Sequence, residues 1–160
     1  MALFFPLFVN AADALLDKVP TEVLEINADE GEFDNLNGLI TYTGNVVVNQ
    51  GKRLLESDKL IIERDKEGEI VKITAFGKPV HFVGPVSEGP EPVHAYGDMI
   101  EFDPVNQMLY LKGDAKIVRD KDVYQAPEIQ YDLKNEIASS LPSKQGRTQI
   151  VIDAKSLEGL

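Results

Sequence analysis

Apolar and polar residues alternate along most of the chain. Ile40 and Tyr42 alternate with Thr41 and Thr43, and the same two-residue period returns in later segments. A period of two places one set of side chains on a buried face and the other on an exposed face, as in a β-strand. Only residues 13–19 show a spacing that fits a short helix. The pattern therefore predicts an all-β fold built from antiparallel strands.

Polar segments rich in glycine and proline separate the apolar ones. Beyond the strand at residues 40–48, the alternation predicts strands around residues 60–62, 71–75, 80–82, 100–102, 109–117, 129–133 and 149–152. The intervening segments predict turns at residues 64–68, 103–107 and 119–122, and loops at residues 85–92 and 139–146.

The chain repeats itself with an offset of 69 residues and without a gap. Phe33-Asp34 falls on Phe102-Asp103, and Gly44-Asn45 falls on Gly113-Asp114. The same offset carries Leu60 and Ile62 onto Ile129 and Tyr131, and Gly77-Lys78 onto Gly146-Arg147. A gapless internal repeat of this length indicates a repetitive β architecture.

Four glycines stand where the apolar alternation pauses, at Gly44, Gly77, Gly113 and Gly146. Glycine inside a strand allows a β-bulge or a sharp bend. Their even placement favours bends in long strands over four unrelated hairpin turns. We therefore expect a strongly curved sheet that wraps around an interior.

Charge and composition exclude some classes of function. The formal net charge is -11, from 16 Lys and Arg against 27 Asp and Glu, and there is no cysteine. Nucleic-acid binding requires a cationic surface, so this balance argues against a nucleic-acid partner. The absence of cysteine leaves no disulfide or thiolate metal site to consider.

The residues of common catalytic motifs are scarce. The two histidines, His81 and His94, have no spacing typical of metal ligands, and His81 is predicted to point outward from its strand. Neither a G-x-S-x-G motif nor a glycine-rich phosphate loop is present. Asp29, Asp58 and Asp98 are interpreted as polar residues at strand starts. The sequence therefore predicts a protein that is not an enzyme and has no cofactor or metal.

The N-terminal residues resemble an export signal. An apolar run spans residues 2–9 and is followed by Val9-Asn10-Ala11, which fits the small-residue rule for signal cleavage. The alternative is an N-terminal strand or tail. We expect a signal peptide at residues 1–11, either as it stands or with its start further upstream, an N-terminal segment at 12–22, one domain at 23–152 and a tail at 153–160.

The apolar face of the predicted sheet has no amphipathic helix to cover it. Such a face is buried either by a second sheet or by a ligand. The first case is a β-sandwich, and the second is a lipid carrier whose open side holds acyl chains.

Five segments stand out as a set: Ile26-Asn27-Ala28-Asp29, the stretch T-Y-T-G-N-V-V-V at residues 41–48, Ser57-Asp58-Lys59-Leu60, A-F-G-K-P-V-H-F at residues 75–82, and Leu111-Lys112-Gly113-Asp114-Ala115. In this order they resemble the OstA/LptA family of periplasmic lipopolysaccharide-transport proteins. The resemblance covers about residues 24–152. Related domains occur in LptC and at the N-terminus of LptD, and the size with the apolar N-terminal run favours an LptA-type protein.

The resemblance implies a twisted, V-shaped β-jellyroll with an open edge and lipid A acyl chains in its apolar interior. It implies periplasmic protomers joined head to tail that bridge an LptC-like inner-membrane protein and an LptD-like outer-membrane protein. The alternative is an adaptor or structural β-domain that assembles through its edges without lipid cargo. The loop at residues 85–92 is this chain's own.

The groove-lining residues are assigned from the resemblance and the alternation together. They are Leu24, Ile26, Ile40, Tyr42, Val46, Val48, Leu60, Ile62, Phe82, Ile100, Phe102, Leu109, Leu111, Ile117, Ile129 and Tyr131.

Overall fold

The structure is a computed structural model that describes residues 24–85 and 91–153. The predicted signal peptide, the short helix predicted at residues 13–19, most of the loop at 85–92 and the tail from residue 154 lie outside the described residues. The predictions for those segments therefore remain predictions.

The described residues form ten strands in one antiparallel sheet, which confirms the predicted all-β class. The strands predicted at residues 71–75 and 80–82 are one continuous strand, because a bulge interrupts the alternation without ending it. The strands are β1 (Leu24–Asn27), β2 (Glu30–Asp34), β3 (Leu39–Gln50), β4 (Arg53–Arg64), β5 (Ile70–Gly84), β6 (Val93–Asp103), β7 (Met108–Arg119), β8 (Asp122–Asp132), β9 (Ile137–Ser139) and β10 (Gln149–Val151). The order is β1-β3-β4-β5-β6-β7-β8-β10, with β2 also on β3 and β9 also on β8. From β3 to β8, each strand therefore pairs with its neighbours in the sequence.

Asp-x-x-Asn turns cap one end of the sheet. Oδ1 of Asp34 accepts the backbone N–H of Asn37 at 3.0 Å, and Oδ2 accepts its side-chain amide at 2.7 Å. These hydrogen bonds, led by the one from the Asn37 side chain, hold the pKa of Asp34 below its usual value. The same two bonds join Asp103 to Asn106 and Asp132 to Asn135.

The five long strand pairings are interrupted at matching places by β-bulges. The pairing of β3 with β4 shifts between Thr43 and Val46, and that of β7 with β8 shifts between Lys112 and Ala115. The other three shifts lie at 56–59, 76–80 and 96–99. Because a bulge bends its strand, an aligned row of bulges folds the sheet into two halves. This arrangement is the open, twisted β-jellyroll that the family resemblance implies.

The internal repeat reappears at two of these bulges. Gly44 and Gly113 have φ angles of +83° and +78°, a region that other residues rarely adopt. A Cβ atom on Gly44 would lie 2.5 Å from Oδ2 of Asp29, and one on Gly113 would lie 2.5 Å from Oδ2 of Asp98. Both glycines and both aspartates are related by the 69-residue offset.

The prediction of a bend is confirmed for three of the four glycines and is wrong for Gly146. Gly77 lies in the bulge of β5, next to a cis peptide bond between Lys78 and Pro79. Gly146 instead lies in an exposed loop, where it forms an isolated bridge with Ser143. Near this loop the repeat is shifted by one residue. Leu55 of β4 corresponds to Tyr124 of β8 under the 69-residue offset, but Leu55 faces Phe82 whereas Tyr124 faces Ile150, which is 68 residues after Phe82.

The interpretation of three aspartates as strand-start residues holds only for Asp29, which lies just before β2. Asp58 lies inside β4 and Asp98 lies inside β6, each at a bulge. A bulge interrupts the alternation of apolar and polar residues although the strand continues. In the sequence, this interruption has the same pattern as the beginning of a new strand.

The core lies on one face of the sheet and contains residues from both sides of the bulge row. Ile40, Leu60 and Leu111 are buried on one side, and Val46 and Val48 are buried on the other. Small residues, Ala115 and Ala126 among them, occupy the row at the bulges themselves. The two halves therefore pack against each other at the fold line and leave an apolar space beyond it.

Candidate functional site

An apolar groove runs between the two halves of the sheet. Ile26, Val48 and Phe82 come from one half, and Ile62 and Phe102 come from the other. The remaining residues of its wall are Gln50, Arg53, Leu54, Leu55, Leu60, Ile73, Ala75, Pro85, Ala95, Ile100, Leu109, Leu111 and Leu133. All of these side chains except Gln50 and Arg53 are apolar. Such a surface can bind hydrocarbon by excluding water from it.

The structure brings nine of the sixteen predicted groove residues to this wall. They are Ile26, Val48, Leu60, Ile62, Phe82, Ile100, Phe102, Leu109 and Leu111. Ile40, Val46 and Ile129 are buried in the core beneath it, and Tyr42 and Ile117 pack against that core. Burial raises the pKa of Tyr42 and, as the largest of several causes, that of Tyr131. Leu24 pairs with Gln50 in the sheet.

Sequence reasoning missed nine residues of the wall. Leu55, Ile73 and Ala95 belong to the same alternating pattern as the predicted residues, so the period-two signal was sufficient to find them. Leu54, Pro85 and Leu133 lie near strand ends, where alternation gives no reliable direction. Gln50 and Arg53 are polar, and nothing in the pattern indicates that a charged side chain lines an apolar groove.

Arg53 is the one charged side chain in the groove wall, within the residues described. Its Nη1 donates a hydrogen bond to Oε1 of Gln50 at 3.1 Å, and its Nη2 is buried. Gln50 is only 8% exposed. The stem of Arg53 lies across Gly84, where an added Cβ would come within 2.8 Å of its Cγ. The missing side chain of Gly84 therefore makes room for the arginine.

The outer face of the same half brings the two histidines together. Nε2 of His81 lies 3.0 Å from Nδ1 of His94, and Nδ1 of His81 lies 3.2 Å from Oε2 of Glu56. The ring of Tyr96 lies parallel to that of His81, with centroids 4.7 Å apart. His81 points away from the groove, as predicted. Among residues 24–85 and 91–153, no three His, Cys, Asp or Glu side chains are grouped to hold a metal ion.

Both edges of the sheet end in short strands. β1 and β2 pair only with β3, and β9 and β10 pair only with β8, in the part of the chain that the structure describes. Ile150 and Val151 on β10 are 58% and 48% exposed. Unpaired strand edges are a ready template for strand addition by another chain. Within the same described residues, no helix is long and apolar enough to cross a membrane.

The fold and the groove define an open β-jellyroll protein with an apolar interior. Residues 25–137 match the family described as "LptA/(LptD N-terminal domain) LPS transport protein". The match covers well over half of the 160 residues. The chain therefore belongs to this family, which confirms the resemblance found in its sequence.

Individual relatives agree with the family match. The chain is 27% identical over 139 residues to the lipopolysaccharide export system protein LptH of Pseudomonas aeruginosa, covering 82% of this chain and 79% of the relative. It is 25% identical over 137 residues to LptA of Escherichia coli, covering 84% and 73%. The crystal structure of LptH from Pseudomonas aeruginosa superposes with a TM-score of 0.72 at 24% identity, covering 82% of this chain and 96% of that one. That likeness supports the fold.

Proposed function

We propose that this protein binds lipopolysaccharide in the periplasm and shields its lipid A acyl chains during transport from the inner to the outer membrane. The observation that carries the proposal is the groove, whose wall is apolar except at Gln50 and Arg53. Membership of the LPS transport family supports the same ligand. The groove wall offers almost only hydrocarbon side chains among the described residues, and the family is described by transport, so the proposed role is that of a carrier and not of an enzyme.

The energetics of acyl chains require such a carrier. Burial of one CH₂ group is worth about 0.8 kcal/mol, so several chains of about a dozen carbons would cost tens of kcal/mol if exposed to water. A continuous apolar groove lowers this cost by covering the chains at each stage. The open side leaves a hydrophilic headgroup in water, where the net charge of -11 keeps the carrier soluble.

The proposal includes assembly into a bridge. Within residues 24–85 and 91–153, the outer sides of the two edges carry no paired strand, which supports head-to-tail addition of copies, one edge of each protomer meeting the other edge of the next. Such a heterologous contact builds an open filament and not a closed dimer. At its ends the filament would meet an LptC-like inner-membrane protein and an LptD-like outer-membrane protein.

Photocrosslinking in cells that make lipopolysaccharide tests the proposal. A benzophenone amino acid replaces Phe82 in the groove wall and, as the matched control, Gln125 on the exposed outer face of β8. We expect lipopolysaccharide adducts at position 82 and none at position 125. Absence of adducts at 82, and also at Phe102 and Ile26, would contradict the proposal and favour an adaptor domain without lipid cargo.

A further inference from the structure

A contact between the two histidines lies directly behind one part of the groove wall. Phe82 of β5 pairs with Ala95 of β6, and both side chains line the groove. His81 precedes Phe82 and His94 precedes Ala95, so the alternation along each strand places both imidazoles on the opposite face. The nitrogens Nε2 of His81 and Nδ1 of His94 lie 3.0 Å apart. This contact therefore joins β5 to β6 at the level of the Phe82–Ala95 pair.

The two imidazoles meet edge to edge. Their planes differ by 9°, and their centroids are 5.3 Å apart, which is the 3.0 Å between the nitrogens plus about one ring radius on each side. A hydrogen bond in this arrangement requires one proton between the nitrogens, because one must donate and the other must accept. Two N–H groups that face each other at this distance would repel.

Glu56 on β4 determines which nitrogen donates. Its Oε2 lies 3.2 Å from Nδ1 of His81, and a carboxylate only accepts hydrogen bonds, so this nitrogen carries a proton. In the neutral imidazole, Nε2 of His81 then accepts a hydrogen bond and Nδ1 of His94 donates it. We therefore assign the Nδ1–H form to both neutral histidines.

The arrangement can hold one additional proton but not two. A proton on Nε2 of His81 lets its imidazolium donate to Glu56 and to Nδ1 of His94 together, so both contacts remain. The ring of Tyr96, parallel to that of His81 at 4.7 Å, favours this charge, whereas the Nζ of Lys116, 5.7 Å from the centre of the Tyr96 ring, opposes it. A second proton, on His94, places two N–H groups against each other and breaks the contact.

Two carboxylates favour positive charge on His94. Glu91 and Asp120 line a pocket together with His94 and Tyr96. Both acidic residues are exposed, so water and salt screen their attraction for the imidazolium. The repulsion between two half-buried imidazolium rings in direct contact is the larger effect, because the charges are closer and less screened. The second proton therefore separates the rings.

We propose that His81 and His94 are positioning residues for the groove wall at Phe82 and Ala95, and that a second proton on this pair releases that part of the wall. The inference rests on the proposed lipid-binding function and extends it to its dependence on pH. Imidazole side chains change charge between about pH 5 and pH 8. The pair therefore keeps its contact at the upper end of this range and loses it towards the lower end, which lowers the affinity of the groove for acyl chains in acid.

NMR of the imidazole nitrogens tests the contact without any lipid. In the isotope-labelled full chain at pH 8, we expect both histidines in the Nδ1–H form. On acidification to pH 5, the protection of backbone amides from hydrogen exchange should fall at residues 81–84 and 93–96, but not at residues 109–111 in the other half of the sheet. An Nε2–H form of His81 at pH 8, or unchanged protection at pH 5, would refute the proton-dependent contact.

The affinity for lipopolysaccharide in neutral detergent tests the coupling to the groove. The wild type should lose about threefold to tenfold between pH 8 and pH 5, because the coupling cannot exceed the net worth of about one hydrogen bond. His94→Asn should keep its affinity at both pH values, since its amide can donate to His81 without titrating. His94→Ala should bind more weakly at pH 8. Lys116→Gln is the matched control, which leaves the histidine contact intact and should follow the wild-type profile.

Other results would overturn the inference. An equal loss in acid for His94→Asn and the wild type would assign the effect to the lipid or to other groups. Equal affinities of His94→Ala and the wild type at pH 8 would show that the contact does not position the wall. If the wild type binds no lipid at any pH, the proposed function fails, whereas the imidazole forms and the amide protection still decide whether the proton-dependent contact exists.

Discussion

Asp98 occupies the space in which Gly113 would carry a side chain. A Cβ atom on that glycine would lie 2.5 Å from Oδ2 and 2.8 Å from Cβ of the aspartate. Gly113 also has a φ angle of +78°. The bulge of β7 therefore combines a left-handed backbone with a contact that leaves no room for a methyl group.

Replacement of this glycine is expected to destabilise the fold. Gly113→Ala should lower the free energy of unfolding by about 2–4 kcal/mol, which combines left-handed strain with overpacking. Gly68→Ala is the matched control, because its φ angle is +86° but nothing lies within 4 Å of an added Cβ. It should cost only about 1–2 kcal/mol. Urea denaturation measures both, and equal losses would refute the contribution of the Asp98 contact.

The Asp-x-x-Asn turns predict a loss of stability in acid. The folded-state pKa values of Asp34 and Asp132 lie below the usual 3.8, chiefly because of hydrogen bonds from Asn37 and Asn135. Their contribution is therefore present above pH of about 4 and is lost as the pH falls through the folded-state values. Urea denaturation between pH 2 and 7 should give a shallower pH dependence in Asn37→Ala than in the wild type. An unchanged slope would contradict this origin.

A carboxylate inside the groove should abolish lipid binding. Phe102→Glu places a charge on the apolar wall. We expect the affinity for lipopolysaccharide to fall at least tenfold, because contact with acyl chains would remove water from the carboxylate without compensating its charge. Gln130→Glu adds the same charge to the other face of the sheet and should bind as the wild type does. Circular dichroism verifies that both variants are folded. Wild-type binding by Phe102→Glu would refute the groove assignment.

The internal repeat relates the two edges of the described sheet to a strand pairing inside the chain. Under the 69-residue offset, β1 and β2 correspond to the two halves of β6. For example, Ile26 corresponds to Ala95 and Val48 to Ile117, and both pairs face each other in the sheet. Likewise, β10 pairs with β8 in the way that β5 pairs with β4, and Ile150 takes the position that Phe82 has in β5. The pairing of β5 with β6 is therefore a template for pairing of β10 with β1 of another copy. In that template His81 faces Tyr96, so Gln149 should face Asn27.

Cysteine crosslinking tests this register without background, since the chain has no cysteine. Asn27→Cys combined with Gln149→Cys should form a ladder of disulfide-linked multimers under mild oxidation, because directly opposed strand residues have Cα separations compatible with a disulfide. Each single variant should form no ladder. Asn27→Cys with Ile150→Cys is the control, because it tests a pairing register shifted by one residue, and it should crosslink poorly. A stronger ladder from the shifted pair would refute the template.

The sequence predicts most of the strands and the bulges at Gly44, Gly77 and Gly113, because both leave local signals. Alternation marks the strands, and the repeat of Gly44-Asn45 at Gly113-Asp114 marks two bulges. The prediction that Asp58 and Asp98 start strands is wrong, because a bulge interrupts the alternation without ending the strand. The position of Arg53 and the contact of His81 with His94 depend on pairing between strands, so no local pattern contains them.

The alignment of the bulges gives the sheet a single crease. Each half is hydrogen-bonded across several strands on its own side of that line, so neither half can bend strand by strand. The width of the opening is then set by a single angle between the two halves, and not separately at each of the five bulged strand pairings. A change in angle at any point along the crease would alter the whole length of the opening together.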